Sequence, residues 1–169
     1  MDELASCVER LYGVGWLHCD ISFFNCLIFQ PEDKAGFIDM GAAKTIEQAA
    51  KNGGGWATGT PQFMSLSFLL DGTQNLSTEL ESLMYVFLYI ATGARLVWKP
   101  YRHDQREARA VKMMSMTYEF AGDVLSRIED PVFSAAAINL QRLFFPSNQH
   151  CRNVTVQAFR QAPAVAPVI

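Results

Sequence analysis

The segment 18-HCDISFFN-25 decides how the chain is read, because it sets Asp20 and Asn25 between two different structural patterns. Before it, 2-DELASCVERLY-12 has a helical period that Gly13 and Gly15 end, and WLH (16–18) reads as a short extended piece. After it, CLIFQ (26–30) reads as a strand, PEDKAG (31–36) as a turn and GFID (36–39) as a second strand, together a small hairpin. Two explanations of the segment stand side by side. Asp, Ser and Asn are turn formers that hydrogen-bond their own backbone. Asp20 and Asn25 are equally two oxygen donors pointed at a common centre.

Further along, periodicity fades from Asp39 to Gln62, and KNGGGWATGTP (51–61) reads as a Gly-rich surface loop. Gly53 to Gly55 lack the spacing of a phosphate-cradling glycine motif. FMSLSFLL (63–70) is a short helix and Asp71 to Asn75 a turn. Ser77 or Thr78 is expected to cap the next helix, with Glu79 and Glu81 in its first turn, favourable for the helix dipole. SLMYVFLYIATGA (82–94) is apolar all round, the mark of a helix buried inside a helical domain. Leu83, Val86, Phe87 and Ile90 make one of its faces, and Leu80, Met84, Leu88 and Ala91 another. Beyond Pro100 the pattern is helical three times, in 104–120, 133–145 and 154–161, with Met113, Met114 and Met116 as core filling. The expected fold is mostly α, one domain over residues 1–160, with a frayed Pro/Ala-rich tail at 161–169.

Composition narrows the function classes. Half of the 169 residues are hydrophobic and 12% aromatic, enough for a substantial core. A net charge of -3 leaves no electrostatic footprint for nucleic acid. The longest charge-free apolar stretch is too short to span a bilayer, so no membrane association is expected. The N-terminus is acidic and does not resemble a signal peptide. Cys7, Cys19, Cys26 and Cys151 form no C-x-x-C pair and read as reduced thiols of a cytoplasmic or nuclear protein. The sequons at Asn75 and Asn153 are then coincidental.

Taken in order, HCDISFFN, GFIDMGAAK, GTPQFM and STELESLMYVFLYIATG resemble the C-terminal lobe of a protein kinase, and in particular the fungal-type protein kinase family. The D-I-S-x-x-N form of the catalytic loop, the L-E-S-L-x-Y-V stretch and V-W-K before a basic helix carry that likeness, which covers about Met1 to Phe145. The resemblance implies a C-lobe with a small β-hairpin and a long activation-segment loop. It implies Asp20 as the base that accepts the substrate hydroxyl proton, with Asn25 and Asp39 as Mg²⁺ ligands. Gly41 completes D-M-G beside the nucleotide phosphates, and Ser22 and Thr60 orient the catalytic loop and the acceptor, which approaches near Thr60 to Gln62. The implied cofactors are Mg²⁺ and ATP, and the implied partner is a protein substrate. His18 is implied to be structural.

The sequence also departs from that pattern. The 17 residues before His18 suffice for part of one helix, so the Gly-rich loop, strand lysine and adenine hinge of an N-lobe are expected to be missing, and ATP binding by the chain alone to be weak. Cys19 replaces the arginine that pairs with a phosphorylated activation segment. Met40 replaces the phenylalanine of D-F-G. Ser67 stands where a glutamate would tether the segment, and Glu79 stands for an aspartate, with a methylene that should shift its carboxylate. Ser22 falls where many Ser/Thr kinases carry a lysine on the γ-phosphate. Two functions therefore stay open: a protein kinase-like enzyme, or a pseudokinase-type module working through protein contacts, with a missing lobe or an oligomer covering the exposed surface. A plain helical domain with chance motifs is the third.

Overall fold

The computed structural model describes residues 1–29, 34–51, 59–101 and 103–164. The first turn residues of the hairpin, the Gly-rich stretch 52–58 and residues 165–169 of the tail lie outside the described residues. Helix α1 spans Asp2–Gly13, with Asp2 and Glu3 in its first turn and Arg10 in its last, matching the helix dipole. It buries Leu4, Ala5 and Val8 against the body, and Gly15 at φ +87° releases the chain into strand β1, Trp16–Leu17. The stretch His18–Asn25 follows and ends in a short 3-10 turn, Phe23–Asn25.

Strands β2, Cys26–Phe29, and β3, Lys34–Phe37, pair antiparallel with Cys26 opposite Phe37 and Phe29 opposite Lys34. The second strand thus starts two residues before Gly36, at positions read from sequence as turn. The stretch after Asp39, read as aperiodic, holds three elements among its described residues. A 3-10 turn covers Met40–Ala42, strand β4, Lys44–Thr45, pairs antiparallel with β1, and helix α2 spans Ile46–Lys51. A two-residue strand whose partner residues lie 27 and 29 positions away leaves no local period to detect.

Helix α3, Leu66–Asp71, is capped by Ser65 Oγ and closed by Gly72 at φ +77°. Helix α4, Leu76–Ala91, starts one turn earlier than Ser77 or Thr78 would allow as caps. Asn75 is the cap, and Thr78 returns the bond to the Asn75 amide in a capping box. Asp104 caps α5, Gln105–Thr117, and Asp130 with Pro131 opens α6, Pro131–Phe144. A π turn at Phe120–Val124 links the two, and Thr155 caps α7, Val156–Gln161.

The core wraps α4. Leu80, Leu83, Met84, Tyr85, Val86 and Leu88 are fully buried, so both faces of that helix are packed as expected. Ile90, expected on the first face, is 50% exposed, while Leu88 and Thr92 on either side of it are buried. Met116 is buried and Met113 packs beside it, whereas Met114 is 50% exposed and fills no core. Helix α1 packs on α4, β3 and α7, which joins the chain's first and last helices across one core. The fold is mostly helical with two small two-stranded sheets. Among the described residues, no helix is long and apolar enough to cross a membrane.

Candidate active site

The stretch His18–Asn25 is shaped by a buried carboxylate beneath it. Glu79, on the first turn of α4, accepts the amide of His18 at Oε2 (2.8 Å) and that of Cys19 at Oε1 (3.0 Å). The longer side chain reaches both amides. Burial pushes the Glu79 carboxyl up to about 7, opposed by the two amide donors that favour its ionised form. Cys19 takes φ +63°, an αL conformation costly for a residue with a Cβ, and the two amides held by Glu79 fix it there. Burial pushes the Cys19 thiol up to about 12, and all four cysteines are free.

Asp20 is held on both carboxylate oxygens. Asn25 Nδ2 donates to the Asp20 carbonyl (2.9 Å) and to Oδ2 (3.1 Å), and the Thr60 amide donates to Oδ1 (2.7 Å). Gly59 makes that last bond possible. It sits at φ +117°, and a Cβ there would come within 2.9 Å of the Cys19 carbonyl. The half-buried Asp20 is thus fixed in orientation, with lone pairs left to accept a proton.

His18 ties Asp20 to the second carboxylate segment. A carbonyl only accepts, so the 3.1 Å bond to Ile38 O places the proton on Nε2, and Nδ1 accepts the Asp20 amide (3.3 Å). Burial lowers the affinity of the ring for a second proton, in keeping with this neutral form. The Ile38 amide in turn donates to Asn25 O (2.9 Å), so Asn25 and Asp39 leave the end of the hairpin side by side. Asp39 is exposed, in the αL region at φ 62°, with Oδ1 accepting the Gly41 amide (3.1 Å). A Cβ on Gly41 would approach that oxygen to 3.0 Å, which explains the glycine.

This donor set fits Mg²⁺. Asn25 gives its Nδ2 bonds to Asp20, which leaves its Oδ1 as an acceptor, and the Asp39 carboxylate follows Ile38, whose amide bonds Asn25 O. One carboxylate and one amide oxygen are hard ligands, short of a full octahedron, and phosphate oxygens and water complete such sites. Ser22 is buried, and its Oγ has no hydrogen-bond partner among the described residues. Thr60 acts through its backbone amide.

The acceptor-side segment is anchored from below by groups that sequence reasoning did not assign. Ser67 is buried, and in place of a tether there, Glu81 Oε1 accepts the Leu66 amide (2.8 Å) and the Tyr85 hydroxyl (2.6 Å). His150 Nε2 lies 2.8 Å from Glu81 Oε2, which ties the C-terminal stretch to the same point. Trp98 donates its indole N–H to Gln62 O (2.9 Å), and the buried Lys112 lies beneath the same turn. The one sequence signal for Lys112 is its place on the core stripe of α5, in register with Ala108, Ser115 and Met116.

Comparison with known proteins gives the family of the chain. The family described as fungal protein kinase matches residues 3–91, just over half of the chain. The casein kinase 1-like protein HD16 of Oryza sativa subsp. japonica is 28% identical over 126 residues, covering 68% of this chain and 18% of that protein. The chain thus spans less than a fifth of that relative's length.

Proposed function

The chain belongs to the fungal protein kinase family, and we propose that it carries the catalytic-loop half of a protein serine/threonine phosphotransfer site. The observation that carries this is the double restraint of Asp20 by Asn25 and Thr60. Asp20 accepts the proton of an acceptor hydroxyl as the hydroxyl oxygen bonds the γ-phosphorus of ATP and the bond to the ADP oxygen breaks. Orientation is what such a base needs, since phosphoryl transfer is mostly positioning and charge neutralisation. Asn25 and Asp39 hold Mg²⁺, which when bound neutralises phosphate charge, and Gly41 fixes the Asp39 carboxylate. Ser22 packs beneath the loop, and the acceptor approaches beside Thr60.

Two substitutions in the protein that contains this chain test the roles. Asp20→Asn should abolish transfer and leave Mg-ATP affinity within about twofold, because the base acts on the acceptor. Asp39→Asn should weaken both, because it removes a metal ligand. Equal losses of nucleotide affinity would overturn the assignment. The 169-residue chain alone should bind Mg-ATP only weakly in calorimetry, and a low-micromolar affinity would show that its nucleotide contacts are built otherwise.

One observation favours a second reading, a protein-interaction module without catalysis. Val14, Leu27, Ile28, Phe29, Ile38 and Met40 are exposed apolar side chains on and beside the hairpin. Transfer activity that Asp20→Asn removes excludes it.

A further inference from the structure

Lys112 is a fully buried lysine, and its surroundings are those of a cation. Its Nζ donates to the carbonyls of Met64 (2.7 Å), Gln62 (3.2 Å) and Pro61 (3.4 Å). Three carbonyls need three N–H donors, which an ammonium has and a neutral amine lacks. The same nitrogen lies 4.2 Å from the Tyr85 ring centroid and 5.3 Å from that of Trp98, both faces favourable to positive charge. Glu81, the acidic group that favours its charge, holds the start of α3 through the Leu66 amide.

The carbonyls it gathers belong to one turn. The Phe63 amide closes that turn on Thr60 O (2.9 Å), and the Thr60 amide is the donor to Asp20 Oδ1. A line of direct bonds therefore runs from Lys112 through Pro61–Met64 and Thr60 to the carboxylate at the centre of the site. We infer that Lys112 is a positioning residue: its ammonium gathers the turn Thr60–Met64 and so sets the Thr60 amide on Asp20. The role rests on the phosphotransfer reading only for its consequence in catalysis; the positioning itself exists without transfer.

A carbonyl cluster of this kind loses its shape without its cation, since three acceptors aimed at one point repel one another and are shut off from water. Trp98 holds Gln62 O alone and cannot replace the other two contacts. Burial pulls Lys112 down to about 7, so its charge is lost near neutrality in the folded chain. The groups facing it are Glu81 and Tyr85 of α4, the Trp98 indole, and, through Glu81, His150.

Amide exchange read by NMR on the 169-residue chain tests the inference. In Lys112→Met, which keeps the length and volume of the stem, the protection factor of the Thr60 amide should fall at least tenfold while amides in the middle of α4 and α6 keep theirs. Unchanged Thr60 protection in the folded variant overturns the inference. A variant that does not fold leaves the wild-type chain to decide. Between pH 6 and 8.5 its Thr60 protection factor should drop with the ionisation of Lys112, followed through its own ¹⁵Nζ or ¹³Cε signal. The sign separates local from global effects. The unfolded lysine keeps its proton to about 10.5, so global stability gains from this residue as pH rises above about 7 while Thr60 loses protection. A flat Thr60 profile, or one that follows only the His150 ring signal, overturns the inference. In the protein with transfer activity, Lys112→Met should lower kcat with little change in the nucleotide KM. If transfer is absent even in the wild type, the phosphotransfer reading fails, and the exchange result still decides the role of Lys112.

Discussion

The two sides of the site are built differently. On the acceptor side, Asp20 is fixed by Asn25 and Thr60, and beneath it Glu79, Glu81, Lys112 and Trp98 bond the backbone of residues 18–19 and 61–66 from inside the core. On the hairpin side, Asp39 is exposed, and its carboxylate accepts the amide of Gly41, two residues on. The strands behind it present Leu27, Ile28 and Phe29 outward. The Asp20 half is thus held from inside the core, whereas Asp39 stands on an open surface. A base must hold one orientation, while ligands that close on phosphates complete their geometry with the nucleotide.

The sharpest way to break this comparison is at its centre. Asp20→Asn in the active protein should cost about 10²–10⁴-fold in kcat, the usual worth of a positioned general base. A loss under tenfold would mean that the tightly held side does not perform the chemistry.

Next is the core that carries the preorganised side. Leu88→Ala, at a fully buried position on α4, should cost about 2–5 kcal/mol in chemical denaturation. Phe87→Ala should fall in the same range, since the ring is packed edge-on against Phe133. A neutral result at either position would remove the buried helix on which Glu79 and Glu81 stand.

Glu79 sharpens the comparison through pH. Its folded pKa of about 7 lies above the ordinary 4.5, so the folded chain keeps a proton that the unfolded chain releases. This group's contribution to stability is therefore full below pH 4.5 and shrinks as pH rises through about 7. The full change is at most about 3 kcal/mol, at about 1.4 kcal/mol per pKa unit. Glu79→Gln should flatten that part of the stability–pH curve, as measured by urea denaturation at stepped pH. An unchanged slope would assign the dependence to another group.

The smallest effect is expected on the open side. Ile28→Lys, at a position 70% exposed, should change stability by less than about 0.5 kcal/mol. A cost above about 1 kcal/mol would show that this face is packed in solution.

Much of the site was legible in the sequence because its parts are local. Asp20 and Asn25 lie on one loop, D-M-G follows one hairpin later, and the apolar run of α4 announced a buried axis. Periodicity and turn chemistry act over a few residues, and the order of the motifs supplied the rest. The cap of α4 was not legible: the sequence points to Ser77 or Thr78, whereas Asn75, at the end of the expected turn, bonds the Thr78 amide.

What the sequence by itself determined is the mostly helical fold, the hairpin, the buried helix and the identity of the oxygen-bearing side chains. Tertiary structure alone decided which buried polar groups hold them. Glu79 reaches His18 across 61 positions, Lys112 reaches Met64 across 48, and His150 reaches Glu81 across 69. A local window places a lysine on the core stripe of α5 and a glutamate on the first turn of α4, but it does not show what either one bonds. Their partners are backbone amides and carbonyls, which every residue carries, so the pairing leaves no signature in residue type. Only the closing of the chain around α4 brings those groups together, and only in that dry interior does leaving one unpaired cost enough to fix the site.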